Sequence, residues 1–152
     1  MVDEIDLKIL DILQSGGRTK RNDLAKAVGL SIPAISDRLR KLEAAGFILG
    51  YHAHLNSKLL GKDVTAFIAV IMDSSKRYAP FIDHAKQIDE ILECHAVTGE
   101  GSYLLKVRTE NTTSLERLLA RIQSWQGVIG TRTQLVLSSP KESTSIKLPI
   151  HQ

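Results

Sequence analysis

Between Leu24 and Leu42 two helical apolar stripes are separated by a turn of about three residues that contains Gly29. This spacing restricts the first part of the chain to a small, tightly turned helical unit. Upstream, Ile5, Ile9, Ile12 and Leu13 follow the i, i+4, i+7, i+8 rule of an amphipathic helix, and Ser15-Gly16-Gly17 stops it. The second helix is short and presents Leu24, Ala27 and Val28 on one face. Gly29 follows it, where a left-handed cap costs least. Ser31 is placed to accept from the open amides of a third helix, and Pro33 falls in that helix's first turn, where a missing amide costs nothing. Ile35, Leu39 and Leu42 form its buried stripe, and Gly46 ends it. The layout is a helix-turn-helix.

Charge is concentrated on the same stretch. Residues 18–41 hold Arg18, Lys20, Arg21, Lys26, Arg38, Arg40 and Lys41 against Asp23 and Asp37, a surplus of +5 against a whole-chain net of +3. At 100° per residue, Pro33, Asp37, Arg40, Lys41 and Ala44 point away from the buried stripe of the third helix, with Ser36 and Arg38 on its flanks. Short side chains near the start of that helix and cations toward its end suit a helix laid into a major groove. The candidate DNA-binding residues are therefore Arg18, Lys20, Arg21, Ser31, Pro33, Ala34, Ser36, Asp37, Arg38, Arg40 and Lys41. The competing reading is a solvated helix with an Asp37–Lys41 i, i+4 pair, or a protein-docking module.

The rest of the chain changes period. Residues 47–55 have β character and read as a strand or linker leading out of the third helix. Residues 65–72 are apolar on both alternating faces, as in a strand covered on both sides. Ser74-Ser75 offers an N-cap to a helix with the stripe Tyr78, Phe81, Ile82, Ala85 and Ile88. Residues 91–98 form a strand, Gly99-Glu100-Gly101-Ser102 a turn, and residues 103–109 the next strand. Thr113 and Glu116 make a capping box for a helix with the stripe Leu115, Leu118, Leu119, Ile122 and Trp125. Residues 128–137 form another strand. Ile146, Leu148 and Ile150 alternate at the tail, where Pro149 confines any strand to a sheet edge. The order β-α-β, turn, β-α-β is the split, ferredoxin-like arrangement, so the fold class is α+β. Domains are expected at 1–50 (helix-turn-helix, DNA-binding), 51–62 (a β linker) and 63–152 (ferredoxin-like, oligomerising). Two helices cover one face of four strands, and the apolar second face calls for a second copy, a two-fold dimer being the simplest closed solution.

Several chemistries are disfavoured. The hydrophobic share of 43% and charged share of 24% over 152 residues exclude disorder throughout. One cysteine excludes a disulfide framework, and no apolar run is long enough to span a membrane. The acidic start Met1-Val2-Asp3-Glu4 lacks a signal-peptide layout, so a cytoplasmic location is expected. Cys94 and His95 are adjacent on a strand and face opposite ways, so they cannot act as nucleophile and base. His52 and His54 lack a third ligand at a telling spacing, so no metal is expected. No cofactor motif and no convergent acid–base set occur, and an enzyme is not expected.

The sequence resembles the Lrp/AsnC family, the leucine- and asparagine-responsive "feast/famine" transcriptional regulators of bacteria and archaea. The resemblance is carried by Ile5-Asp6-Leu7-Lys8-Ile9-Leu10, by the run from Asp23 to Ser31, by Arg38-Leu39-Arg40-Lys41-Leu42-Glu43 and by Gly46-Phe47-Ile48. Further on it is carried by Glu93-Cys94-His95, the Gly99 turn with Tyr103-Leu104-Leu105-Lys106, and Gly127-Val128 followed by Thr131-Arg132-Thr133. It implies an N-terminal winged helix-turn-helix and a C-terminal ligand-sensing ferredoxin-like βαββαβ domain. It also implies homodimers that assemble to octamers on double-stranded DNA, with a small effector, usually an amino acid, bound between dimers. In the family the effector turn commonly reads Gly-Asp-x-Asp-Tyr. Here it reads Gly99-Glu100-Gly101-Ser102-Tyr103, which keeps one acid and replaces the second by Ser102. The candidate effector residues are Gly99, Glu100, Gly101, Ser102, Tyr103, Thr131 and Thr133. With fewer charge-assisted bonds for an ammonium group, weaker or altered amino-acid selectivity is expected. A sequence-specific regulator is the leading reading, and an architectural DNA-organising protein of the same family with little effector response is the alternative.

Overall fold

The computed structural model describes residues 2–149. The chain divides into two compact units, one of residues up to His54 together with those from Lys141, the other Leu55–Pro140.

The first unit is built from α1 (Glu4–Ser15), α2 (Arg21–Val28) and α3 (Ile32–Ala44). Asp3 caps α1 in a reciprocal box with Asp6. Gly29, at φ +71°, takes the left-handed cap that turns α2 into α3, a conformation that costs any side chain more than glycine. Ser31 caps α3 by accepting from the amide of Ala34. Ile9, Leu24, Ala25, Ile35, Leu39 and Leu42 form the core. On α2 the buried alanine is Ala25 and not Ala27, which is exposed. The α2 stripe is therefore turned about one position from the sequence expectation.

Residues 47–55 form no strand, against the expected β character. A strand needs a ladder partner, and the first unit offers none. The tail also departs from expectation. Residues 141–149 form no edge strand and join the first unit, where Gln14 brackets Ile146. Gln14 Nε2 donates to the Ile146 carbonyl at 2.9 Å, and the Ile146 amide donates to Gln14 Oε1 at 3.0 Å. That side-chain bracket takes the hydrogen bonds an edge strand would have used. Ile150 lies outside the described residues.

The second unit holds a four-stranded antiparallel sheet, ordered β2-β3-β1-β4, of β1 (Val64–Met72), β2 (Ile91–Ala96), β3 (Tyr103–Thr109) and β4 (Val128–Leu135). A 3-10 turn, Ser75–Arg77, capped by Ser74, leads into α4 (Tyr78–Lys86). Helix α5 (Thr112–Gln123) is capped two residues before the expected box, by Asn111 and Ser114. Asn111 accepts from the Ser114 amide at 2.9 Å and the Asn111 amide donates to Ser114 Oγ at 3.0 Å. Both helices cover one sheet face. Ala66, Ile68, Val70 and Met72 of β1 and Tyr103, Leu105 and Val107 of β3 pack there against Phe81, Ile88, Leu115, Leu118 and Ile122. On the opposite face Phe67, Ala69, Ile71 and Leu104 stay partly exposed. Trp125 is a packing residue, edge-on to Phe81 at 5.5 Å and stacked on His84 at 5.3 Å.

Candidate DNA interface and effector site

The first site is the outer surface of the three-helix unit. Arg18, Lys20, Arg21, Ser31, Pro33, Arg40 and Lys41 are exposed, while Ala34, Ser36 and Asp37 are half-exposed on α3. Helices α2 and α3 share the core of this unit, with Leu24 and Ala25 of α2 against Ile35, Leu39 and Leu42 of α3.

Arg38 departs from the set. Its Nη1 lies 2.7 Å from Asp3 Oδ2 and 2.7 Å from Asp6 Oδ1, at the N-terminal turn of α1. In the free chain Arg38 ties α3 to α1. Helical angle put Arg38 on the flank of the stripe, and its long arm reaches Asp6, which is buried. Hydrogen bonding from the Asp6 amide and then from Arg38 holds the Asp3 carboxyl below its usual value. The Asp37–Lys41 pair of the competing reading is present, and Arg40 joins it. Tyr51 was missed by sequence reasoning. Its hydroxyl donates to Glu43 at 3.0 Å and so fixes the segment after α3 onto that helix. Burial, then the Glu43 carboxylate, raises the phenol pKa. No local pattern in the sequence signals that contact.

The second site is the β2–β3 turn. Gly99 and Gly101 have φ of +96° and +116°. A Cβ on Gly101 would sit 3.3 Å from the Val70 carbonyl, so this position needs glycine for both conformation and space. Ser102 is anchored: its amide donates to the Val70 carbonyl at 2.8 Å, and Tyr78 donates to its hydroxyl at 3.2 Å. Tyr103 is buried, its ring 4.9 Å from Phe81 and 5.2 Å from Tyr78. It faces the core. The acid at the turn tip, Glu100, is bonded by Arg132 of β4.

Thr131 and Thr133 are not brought to Glu100. They pair with Val70 and Ile68, whose side chains lie on the helix-covered face, and Thr131 accepts from Gln123 of α5 at 2.8 Å. Arg132 between them projects to the opposite face. Strand alternation puts Arg132, and not the threonines on either side of it, within reach of Glu100. Cys94 pairs with Leu105 on the helix-covered side, and burial pushes its thiol pKa up, as for an inert structural cysteine.

Two family models match these units, a winged helix-turn-helix DNA-binding model over residues 2–48 and the Lrp/AsnC ligand-binding domain over residues 65–146. The chain belongs to the Lrp/AsnC family of transcriptional regulators. It is 37% identical over 149 residues to the HTH-type transcriptional regulator FL11 of Pyrococcus horikoshii, covering 98% of this chain and 97% of that protein. It is 35% identical to the leucine-responsive regulatory protein of Escherichia coli, over 95% and 90% of the two chains. Among solved structures, a transcriptional regulator of Neisseria meningitidis in complex with L-methionine superposes with a TM-score of 0.91 at 31% identity, over 98% of each chain. The similarity to such regulators covers both units of the Lrp/AsnC architecture. Among the described residues no helix is long and apolar enough to cross a membrane.

Proposed function

We propose that the chain reads duplex DNA as a homodimer through α3. We also propose that a small zwitterionic effector, an amino acid or close relative, acts at the β2–β3 turn. The observation that carries the DNA reading is the exposed strip of Arg40 and Lys41 on α3, with Arg18, Lys20 and Arg21 at the start of α2. Arg40→Ala or Lys41→Ala is expected to weaken binding by about 1–3 kcal/mol where a base contact is lost, or uniformly across sequences where the contact is to phosphate. Circular dichroism is expected to stay unchanged. Unaltered binding by both variants would remove α3 from the interface.

The homodimer is supported by the open sheet face, with Phe67, Ala69, Ile71 and Leu104 uncovered, and by the unpaired segment 47–55, in which Leu49, Tyr51 and Leu55 are exposed. The proposed assembly extends to octamers. Recognition helices related by a two-fold axis then meet half-sites roughly 34 Å apart, or a multiple of that. Light scattering at micromolar concentration is expected to give at least twice the mass of one chain, and a monomeric mass would refute the dimer.

The effector reading is supported by the L-methionine complex of the similar Neisseria regulator and by the opposite charges of Glu100 and Arg132 at one turn. Arg132 replaces Thr131 and Thr133 as the proposed β4 contributor. Calorimetry with the twenty amino acids on wild type and Glu100→Ala tests it. The expected result is a response other than the standard leucine one that weakens in the variant. An amino acid whose affinity the variant leaves untouched would show that Glu100 is not its ammonium partner.

A further inference from the structure

Helix α3 carries one acid on its outward strip, and that acid holds both neighbouring cations. Arg40 Nη2 donates to Asp37 Oδ1 at 2.7 Å, and Lys41 Nζ lies 2.7 Å from Asp37 Oδ2. Spacings of i, i+3 and i, i+4 put all three side chains on the face opposite Ile35, Leu39 and Leu42. The side chains of Asp37, Arg40 and Lys41 are 46%, 73% and 69% exposed, so the cluster is presented to a partner and not buried in the unit. Lys41 first and Arg40 second hold the Asp37 carboxyl below its usual value, so it is ionised at neutral pH.

A carboxylate at this position opposes approach to a polyanion, and it engages the two cations that would otherwise meet phosphates. Its effect depends on what it faces. An aspartate in the major groove accepts from the exocyclic amino group of cytosine. Facing a carbonyl or a thymine methyl, it has no donor and keeps its salt bridges.

We propose that Asp37 is a specificity-determining residue. It withholds Arg40 and Lys41 from the phosphates of non-matching duplexes and releases them where a base edge offers its carboxylate a donor. This rests on the reading of α3 as the DNA-facing helix. Sequence-independent affinity comes from phosphate contacts, and each adds about 0.9 to the slope of binding against salt. Asp37→Asn keeps the size and a hydrogen-bonding group while freeing both cations. Loss of a negative charge alone would tighten every duplex by one factor. Loss of a specificity residue tightens the non-matching duplex more than the matching one.

The test uses the full chain. Wild type enriches a duplex from a random pool, and dissociation constants for that duplex and a scrambled one are measured across a salt series. The proteins compared are wild type, Asp37→Asn, Asp37→Ala and the double variant Arg40→Ala/Lys41→Ala, each with unchanged circular dichroism. For Asp37→Asn the scrambled duplex is expected to bind more tightly, with a salt slope steeper by about 0.9–1.8, one or two added phosphate contacts. The ratio of enriched to scrambled affinity is expected to fall about tenfold. Asp37→Ala is expected to reproduce the fall. An unchanged ratio in both Asp37 variants, beside weakened binding by the double variant, would overturn the role of Asp37 and leave the reading of α3 standing. Unchanged binding by the double variant would overturn both.

Discussion

Ile35→Ala is expected to destabilise the first unit by about 2–5 kcal/mol. Ile35 is fully buried in a core shared with Ile9, Leu24, Leu39 and Leu42. A unit of this size has only a few kcal/mol in reserve, so the variant loses its DNA-binding surface near physiological temperature. The second core shares no residue with the first. Trp125, the single tryptophan, sits in the second core and reports on it alone. Thermal melts are expected to show helical signal lost early, with the Trp125 fluorescence transition unmoved. A joint shift of both signals would show that the units do not unfold separately.

Arg38→Ala produces the second large effect. The Arg38 side chain is 27% exposed, and those of its partners Asp6 and Asp3 are 13% and 52% exposed. Breaking a fully buried pair costs about 3–5 kcal/mol, and the exposure of Arg38 and Asp3 lowers the expectation here to about 1–3 kcal/mol. The variant leaves Asp6 buried without its cation. Chemical denaturation is expected to show the loss, while the salt slope of DNA binding by the folded variant stays as in wild type. A shallower slope at unchanged stability would show that Arg38 contacts phosphate. The same cluster sets an acid sensitivity. The Asp3 carboxyl is lowered in the folded state, so its contribution is fully present above the ordinary aspartate value of 3.8. It is lost as pH falls through the depressed folded value. Stability of Arg38→Ala is expected to depend less on pH in that range.

The sequence made the helices legible where local chemistry fixes them. Gly29, Ser31 and Pro33 each act within one turn of backbone, and all three act as the sequence suggests. The βαββαβ order of elements along the second unit was legible because apolar alternation and helical stripes follow one another there. What the sequence concealed depends on distant residues. The Arg38–Asp6 pair joins positions 32 apart, and the Gln14–Ile146 bracket joins positions 132 apart. The capping box of α5 is formed by Asn111 and Ser114 and not by the expected Thr113 and Glu116. The β2–β3 turn at Gly99–Ser102 was readable from its glycines. That Arg132, and not Thr131 or Thr133, meets Glu100 follows from the register that pairs Thr131 with Val70.

Whether this protein discriminates between DNA sequences is measured most directly by one ratio, the wild-type affinity for an enriched duplex over that for its scrambled counterpart at one fixed salt concentration. A sequence-reading α3 predicts a ratio of about a thousandfold or more. Equal affinities for the two duplexes would contradict it and would make the chain an architectural binder of phosphate backbones.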